Sequence, residues 1–283
     1  MLSAPYRQGF TLPELMLSVV AALLVSGAAY GLLFTTQRLT RAQSQQVALQ
    51  SGVRAGALIV LNELGELGTV PGGAADQNDI VAMGATAITY RAMRGIGFVC
   101  HTDATPVIRL TRSSFSGHRD PQAGRDEAYV LIPGGSLPSA KEAWLPLQIV
   151  SVATATPCPA GQGPGITMSV SAHPSLGVVE AGTPVRITEL MELRQYRSDG
   201  RSWLGARSVG TGEAIQPLLG PLADTAGFQL EYLDGSGAIT LDRTAVKSIR
   251  VSLRGRMERG SSPAMALEEE LVTHVALRNS MSS

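Results

Sequence analysis

The sequence is poor in charge, in aromatic side chains and in cysteine. Charged residues make up 16% of the chain and aromatic residues 5%, and 23 basic side chains balance 23 acidic ones. A chain without excess positive charge has no broad basic surface, so nucleic acid is not indicated as a partner. Glycine (31 residues) and proline (16) are plentiful instead. This mixture is typical of a β-rich, loop-rich domain rather than of a helical bundle.

The residues that usually carry catalysis or bind metals are few and scattered. The two cysteines do not form a C-x-x-C pair, which argues against zinc and thioredoxin-like motifs. The histidines lack the i, i+4 spacing of a metal-binding helix. Asp234, Ser236 and Asp242 supply too few oxygen ligands for calcium, so a hairpin turn is the favoured interpretation. We therefore predict no catalytic residues, no metal site and no cofactor, and expect that the chain is not an enzyme.

Charge is completely absent from residues 15–37. That uncharged run is long enough to cross about 30 Å of hydrocarbon as a helix. One basic side chain, Arg7, precedes it, but no small-residue cleavage site of the ordinary secretory kind ends it. Glu14 stands at the front edge of the run. A charge within the membrane costs at least a few kcal/mol, so Glu14 must either stay at the water interface or find a partner.

Residues 9–16, GFTLPELM, resemble the class III signal of type IV pilins and of the pseudopilins of type II secretion. The resemblance implies that a prepilin peptidase cuts between Gly9 and Phe10 and methylates the new amine of Phe10. It also implies that Glu14 neutralises the amine of a neighbouring subunit and sets the filament register. Pro13 replaces the more usual isoleucine, in the first helical turn, where a missing N–H costs little. The alternative is an interfacial Glu14 that faces lipid headgroups.

Gly27 and Gly31 form a G-x-x-x-G pattern within the span. Such a pair permits close approach of two helices in a membrane. In the resembled family the helices pack closely in the filament core, so both glycines are candidate packing residues. Two ordinary glycines of a membrane helix explain the pattern equally well.

Beyond Arg38 the sequence becomes amphipathic, and we predict that one helix runs over residues 11–67. Apolar side chains recur every three to four residues, which indicates one stripe facing a partner. The stripe comprises Leu49, Val53, Ala57, Val60 or Leu61, Leu64 and Leu67. Three glycines weaken this helix by roughly 1 kcal/mol each: Gly52, Gly56 and Gly65. Gly68 and the Pro-Gly-Gly at 71–73 indicate its end.

From about residue 78 the pattern is that of short β-strands. Predicted strands cover 87–93, 96–100, 107–111, 128–132, 147–152, 166–171, 185–197, 201–209, 228–233, 245–257 and 269–278. Ser198-Asp199-Gly200 is a hairpin signal between two of them, and the strand at 228–233 is predicted to pair with a later strand across residues 234–237. The predicted class is α+β, with a long N-terminal helix packed on a mostly antiparallel, pilin-like head. Its divisions are a leader at 1–9, a transmembrane and filament-core helix at 10–37, an amphipathic helix at 38–67 and the head at 68–283.

Later segments extend the resemblance more loosely. The order of 194–197, 216–218, 228–234, 246–251 and 275–279 is similar to PilW-type minor pilins and to the J-type minor pseudopilin of type II secretion. The resemblance implies a periplasmic head, where a disulfide between Cys100 and Cys158 is allowed and favoured. A bridge of this span would remove about 4 kcal/mol of unfolded-state entropy. Two unrelated buried thiols are the alternative.

The expected function is that of a minor pilin-like structural subunit of a type IV pilus that assists filament assembly or its initiation, with the tip as one candidate location. It would begin in the inner membrane and then enter the filament. Its expected partners are the prepilin peptidase and, through the N-terminal helix, other major and minor pilins. A minor pseudopilin of type II secretion and a single-span anchored periplasmic binding protein are the alternatives. An adhesive or DNA-uptake tip would need a binding surface, which Arg91, Arg94, Arg109 and Arg112 suggest.

Overall fold

The computed structural model describes residues 11–69, 78–102, 106–133, 143–153, 156–161, 163–257 and 266–278. Within these ranges one long helix precedes a large antiparallel sheet, so the predicted α+β class is confirmed. The elements are α1 (Leu12–Gly65), β1 (Ile80–Met83), β2 (Ala87–Thr102), β3 (Val107–Thr111), β4 (Ser116–Gly117), β5 (Asp126–Ile132), β6 (Ala143–Ala153), β7 (Gly165–Val170), β8 (Pro184–Ser198), β9 (Arg201–Ser208), β10 (Gln216–Leu222), β11 (Phe228–Leu233), β12 (Ser248–Met257) and β13 (Leu267–Ala276). Short 3-10 turns occupy Arg112–Ser114, Pro159–Gly161 and Pro174–Val178.

The chain divides into two compact units, and the division falls inside α1, between Leu49 and Gln50. We call residues 12–49 the first part of α1 and residues 50–65 its second part. The second part belongs with all the strands to the larger unit, Gln50–Ser283.

The second part of α1 packs through the predicted apolar stripe. Val53, Val60 and Leu64 each expose 1% or less of their surface, and Ala57 exposes 2%. Leu61, the alternative to Val60, is only half-buried. The three-to-four spacing therefore correctly identifies the buried face of this helix within the larger unit.

Gly56 allows α1 and β10 to approach each other closely. A Cβ added at Gly56 would lie 2.4 Å from Cδ2 of Leu219 and 3.1 Å from its Cβ. The same addition at Gly52 would meet Leu219 Cδ1 at an ordinary 3.8 Å. Glycine lowers helix propensity at both positions, but only at Gly56 does the absence of a side chain make room for the neighbouring strand.

Six of the strands close into an antiparallel barrel. Each pairs with the next in the ring β2–β8–β5–β6–β7–β3, and β3 returns to β2. Alternate side chains point inward, as in β3, where Ile108 and Leu110 are buried and their neighbours are not. The interior is aliphatic and includes Val99, Ile108, Leu110, Val130, Leu147, Ile149, Ile166, Met168, Val185 and Ile187. Closure of the ring removes the free strand edges that an open sheet would present.

The remaining strands extend the sheet away from the barrel. One edge of β8 pairs with β2, while its other edge pairs first with β5 and then, from Met191 onward, with β9. β9 leads through β10 to β12, which also pairs with β11 and β13. The second part of α1 lies against this region, since Gln50 Nε2 donates to Glu269 Oε2 at 3.4 Å. β2 and β8 thus serve both the barrel and the sheet that packs on the helix.

Two predicted strand connections are confirmed. β8 and β9 form a hairpin in which Ser198 pairs with Arg201. Its two loop residues, Asp199 and Gly200, have φ of 52° and 73°, as a tight hairpin turn of this length requires. β11 pairs with a later strand, β12, from Phe228 opposite Leu253 to Leu233 opposite Ser248.

Two other strand predictions are wrong. Gly95 does not separate two strands, because β2 continues through it with a register shift between Met93 and Gly95. A Cβ at Gly95 would lie 2.6 Å from the Phe115 ring, so glycine here accommodates a close contact. β10 is absent from the predicted strands because Pro217 and Pro221 weaken its pattern.

Candidate functional site

The first part of α1 presents an apolar surface that the described residues leave exposed. Leu15, Leu24 and Leu33 expose 57%, 70% and 59% of their surface. An 18-residue window of this helix has a mean hydropathy of 2.1, and none of it is buried. By length and composition the segment is apolar enough to cross a membrane. It is therefore a candidate anchor or a candidate surface for other helices.

The predicted processing site lies just before this helix. Gly9 and Phe10 are outside the described residues, so cleavage between them and methylation of Phe10 stay predictions. Glu14, the other motif residue with a predicted role, lies within the described residues.

Glu14 caps the helix on which it lies. Its Oε2 accepts from the Thr11 backbone N–H at 3.3 Å and from the Thr11 hydroxyl at 3.1 Å. Thr11 immediately precedes α1, and its carbonyl accepts from the Leu15 N–H at 3.1 Å. A glutamate three residues after a threonine is the pattern of a capping box, which satisfies backbone donors at the helix start. Thr11 is thus a third partner for Glu14, besides the membrane interface and the second subunit that the sequence indicated.

The two hydrogen bonds from Thr11 bring no positive charge to the Glu14 carboxylate. Both donors are uncharged groups, and among the described residues both bonds end on the same oxygen, Oε2. A carboxylate that keeps its charge remains expensive to bury in hydrocarbon. Glu14 therefore still requires either water or a cation when the surrounding surface is covered.

Gly27 and Gly31 lie on open surface. A Cβ added at either position would have no atom within 4 Å, apart from their own helix. Their small size therefore serves no contact within the described chain. Their predicted role in packing against another helix stays a prediction, and the open surface is compatible with it.

Cys100 and Cys158 form the predicted disulfide. Their Cα atoms are 5.9 Å apart, and the two residues expose 7% and 5% of their surface. The bond joins the end of β2 to the segment 156–161, whose Cys158 N–H also donates to the Gly163 carbonyl at 2.9 Å. The alternative of two unrelated thiols is wrong. A buried disulfide is typical of a domain that folds in an oxidising compartment.

A buried charge cluster that sequence reasoning missed lies where β2, β5 and β8 meet. We call it the Glu189 cluster: Glu189, Arg94, Arg119, Arg125 and Asp126. Glu189 exposes 2% of its surface and accepts from Arg125 Nε at 2.5 Å, Arg94 Nε at 2.7 Å and Arg119 Nη2 at 3.3 Å. Arg119 also holds both oxygens of Asp126, at 2.5 and 2.7 Å. Residues this distant in sequence give no local signal of their pairing.

The arginines keep Glu189 ionised despite its burial. Burial alone would raise the pKa of Glu189, but hydrogen bonds, led by the one from Arg94, outweigh it and leave that pKa below its ordinary value. Arg94 also reaches Oε1 of Glu63 on α1 at 3.4 Å, and the Tyr90 hydroxyl donates to Glu63 Oε2 at 3.2 Å. The cluster therefore ties the second part of α1 to the sheet.

The four arginines proposed as a binding surface all have partners within the larger unit. Arg91 donates to the Asn78 carbonyl at 2.6 Å, and Arg94 belongs to the Glu189 cluster. Arg109 donates to the Pro157 carbonyl at 3.0 Å, and Arg112 pairs with Asp120. An adhesive or DNA-binding surface gains no support from these side chains.

The Asp234 carboxylate accepts hydrogen bonds from the turn that it begins. Its Oδ1 accepts from the Ser236 N–H at 2.8 Å, the Ser236 hydroxyl at 2.7 Å and the Ala238 N–H at 3.0 Å. These bonds, led by the Ser236 hydroxyl, lower the pKa of Asp234. Within the described part of the chain, no group of three or more His, Cys, Asp or Glu side chains is placed to hold a metal ion. The carboxylate at this turn is thus explained by the turn itself.

Comparison with known proteins identifies no relative of this chain. The chain significantly matches no protein-family model, no curated protein and no solved structure. The function is therefore inferred from the N-terminal motif and from the geometry of the described residues: an exposed apolar helix with a carboxylate, Glu14, in its first turn, and a disulfide-bonded β-rich unit.

Proposed function

We propose that this chain is a minor pilin-like subunit of a type IV pilus, cleaved by a prepilin peptidase and used to assist filament assembly. The observation that carries the proposal is the first part of α1. It is apolar and exposed, it carries Glu14 in its first turn, and its start overlaps the GFTLPE motif at residues 9–14. The larger unit would be the periplasmic part, and its disulfide is compatible with that compartment.

The proposed role of Glu14 follows from its geometry. Thr11 satisfies hydrogen bonds at Oε2 but contributes no positive charge. Cleavage after Gly9 would create a positive amine at Phe10, and the amine of a neighbouring subunit would neutralise Glu14. A pair of opposite charges in hydrocarbon forms only at the correct axial offset, so the cost of an unpaired charge would select the register.

The direct test is the intact mass of the full chain purified from membranes, with and without a co-expressed prepilin peptidase. We expect loss of residues 1–9 together with the gain of one methyl group when the peptidase is present. Gly9→Val should abolish both changes. An unprocessed species in the presence of an active peptidase would contradict the proposal and favour an anchored binding protein.

Glu14→Gln separates processing from assembly. We expect this variant to be cleaved normally but to be lost from sheared filaments by tenfold or more, because the charge pair cannot form. Glu66→Gln is a matched control, since Glu66 lies later on the same chain and its carboxylate pairs with Arg278 at 3.0 Å. Incorporation of the Glu14→Gln subunit at the wild-type level would exclude the registration role.

A further inference from the structure

One face of the first part of α1 combines aromatic rings with positive charge. Tyr30, Phe34, Arg38 and Arg41 fall within about 80° of arc, because successive helical residues are about 100° apart. The rings of Tyr30 and Phe34 lie 6.4 Å apart and nearly parallel. The Arg38 guanidinium carbon lies over the Phe34 ring, 4.2 Å from its centre. We call these four residues the aromatic–arginine face.

The positive charge on this face has no counterpart nearby in sequence. No aspartate or glutamate occurs from residue 15 to residue 62, whereas Arg38 and Arg41 both lie within that stretch. Both side chains are exposed, and among the described residues no carboxylate forms an ion pair with either of them. A guanidinium stacked on an aromatic ring keeps its N–H groups free for an anion at the ring edge.

The position of the face favours a membrane ligand. An uncharged helix of about 20 residues spans the hydrocarbon, so a span beginning near Glu14 ends near Phe34. Phe34 then lies at the hydrocarbon boundary and Tyr30 lies one turn inside it, while Arg38 and Arg41, one and two turns beyond Phe34, reach the phosphates. Beside this face, Arg41 also borders a shallow concave patch lined by Leu32, Leu33, Thr36, Gln37 and Thr40.

We propose that the aromatic–arginine face binds the phosphate of anionic phospholipids where the helix leaves the bilayer. Arg38 and Arg41 would each donate N–H groups to phosphate oxygens, while Phe34 holds the Arg38 plane in place. The proposal depends on the membrane-anchored stage of the proposed function but not on filament assembly. It also explains how two unpaired arginines are accommodated immediately after an apolar span.

The test measures which lipids stay bound to the full chain. The protein is reconstituted in vesicles of equal phosphatidylcholine and phosphatidylglycerol, extracted in mild detergent, and examined by native mass spectrometry. We expect phosphatidylglycerol to be retained on the order of tenfold over phosphatidylcholine. Arg38→Gln with Arg41→Gln should remove the preference, and Phe34→Leu should reduce it.

Arg54→Gln provides the matched control, because Arg54 is a similarly exposed arginine of α1 that lies well beyond the span. This variant should retain the wild-type preference. Excess inorganic phosphate during extraction should not displace the lipid, because the acyl chains anchor the headgroup. Equal retention of the two lipids by the wild-type chain, an unchanged preference in the double variant or displacement by inorganic phosphate would overturn the proposal.

The same spectra test the lipid site and the proposed function independently. The protein mass reports whether residues 1–9 have been removed, and the adduct masses report the bound lipid. A processed chain without lipid preference overturns only the lipid site. An unprocessed chain, purified with an active peptidase and still selective for phosphatidylglycerol, overturns only the filament-subunit proposal.

Discussion

The two parts of α1 differ in how far their apolar side chains are exposed. Leu15, Leu24 and Leu33 in the first part expose more than half of their surface, whereas Val53 and Leu64 in the second part expose 1% or less. Both parts are helical throughout, and both carry two or more glycines. The difference is that the second part packs against strands of its own chain.

The surface that covers apolar side chains differs between the two parts of α1. An apolar stripe every three to four residues needs one neighbouring surface, and β10 and β13 provide it. A helix that is apolar on all sides needs lipid or several other helices around it. Substitutions in the second part should therefore change the stability of the larger unit, and matched substitutions in the first part should not.

Leu64→Ala should have the largest effect. Leu64 is fully buried, and removing a buried leucine side chain leaves a cavity that costs about 4 kcal/mol. Leu24→Ala removes the same atoms from an exposed position and should leave the unfolding free energy of the larger unit unchanged. Urea unfolding followed by the fluorescence of Trp144 and Trp203 measures both. Equal losses in the two variants would contradict the comparison.

Glu189→Gln should cost about 3 kcal/mol, since it leaves Arg94 and Arg125 without their buried carboxylate. Glu213→Gln is the control, because Glu213 pairs with Arg125 at a more exposed position, where ion pairs contribute little. The same urea unfolding measures both variants at neutral pH. A Glu189→Gln protein as stable as the Glu213→Gln protein would show that the cluster does not secure the helix-packed region.

The Glu189 cluster also predicts a dependence on acid. The folded-state pKa of Glu189 is lowered, so its stabilisation is complete above the unfolded glutamate value of about 4.3 and is lost as the pH falls through the folded-state pKa. Wild type should therefore lose more unfolding free energy than Glu189→Gln when the pH is lowered from 6 to 3. Parallel pH curves for the two proteins would contradict this assignment.

Gly56→Ala should have the smallest effect, and its sign distinguishes two explanations for the glycine. A Cβ 2.4 Å from Leu219 forces a shift, which outweighs the gain in helix propensity and costs about 1 kcal/mol. Gly52→Ala meets Leu219 at 3.8 Å and should instead stabilise the larger unit by up to about 1 kcal/mol. Thermal unfolding measures both, and stabilisation by both substitutions would show that β10 moves away readily.

Features that depend on local pattern were predictable from the sequence. The stripe of Val53, Ala57, Val60 and Leu64 follows from helical spacing, and the β8–β9 hairpin follows from Asp199-Gly200. The exposed apolar surface of the first part of α1 follows from the absence of charge over residues 15–37. In each case the residues that decide the structure lie within a few positions of one another.

Features that depend on distant residues were not predictable. Alternating side chains show that β2 and β8 are strands but not which strands they pair with, so closure of the barrel carries no sequence signal. Glu189 and its arginines come from different strands and loops, up to 95 positions apart. The hydrogen bonds from Thr11 to Glu14 are a different case, because the threonine–glutamate spacing of a capping box is visible in the sequence.

The long ladder between β2 and β8 has a mechanical consequence. It runs from Ala87 opposite Arg194 to Phe98 opposite Pro184, along strands that take part in both the barrel and the sheet against α1. A pulling force that enters the larger unit through the helix and acts along these strands would load many hydrogen bonds at once rather than open them one by one. Tension applied along these strands would therefore leave the barrel intact.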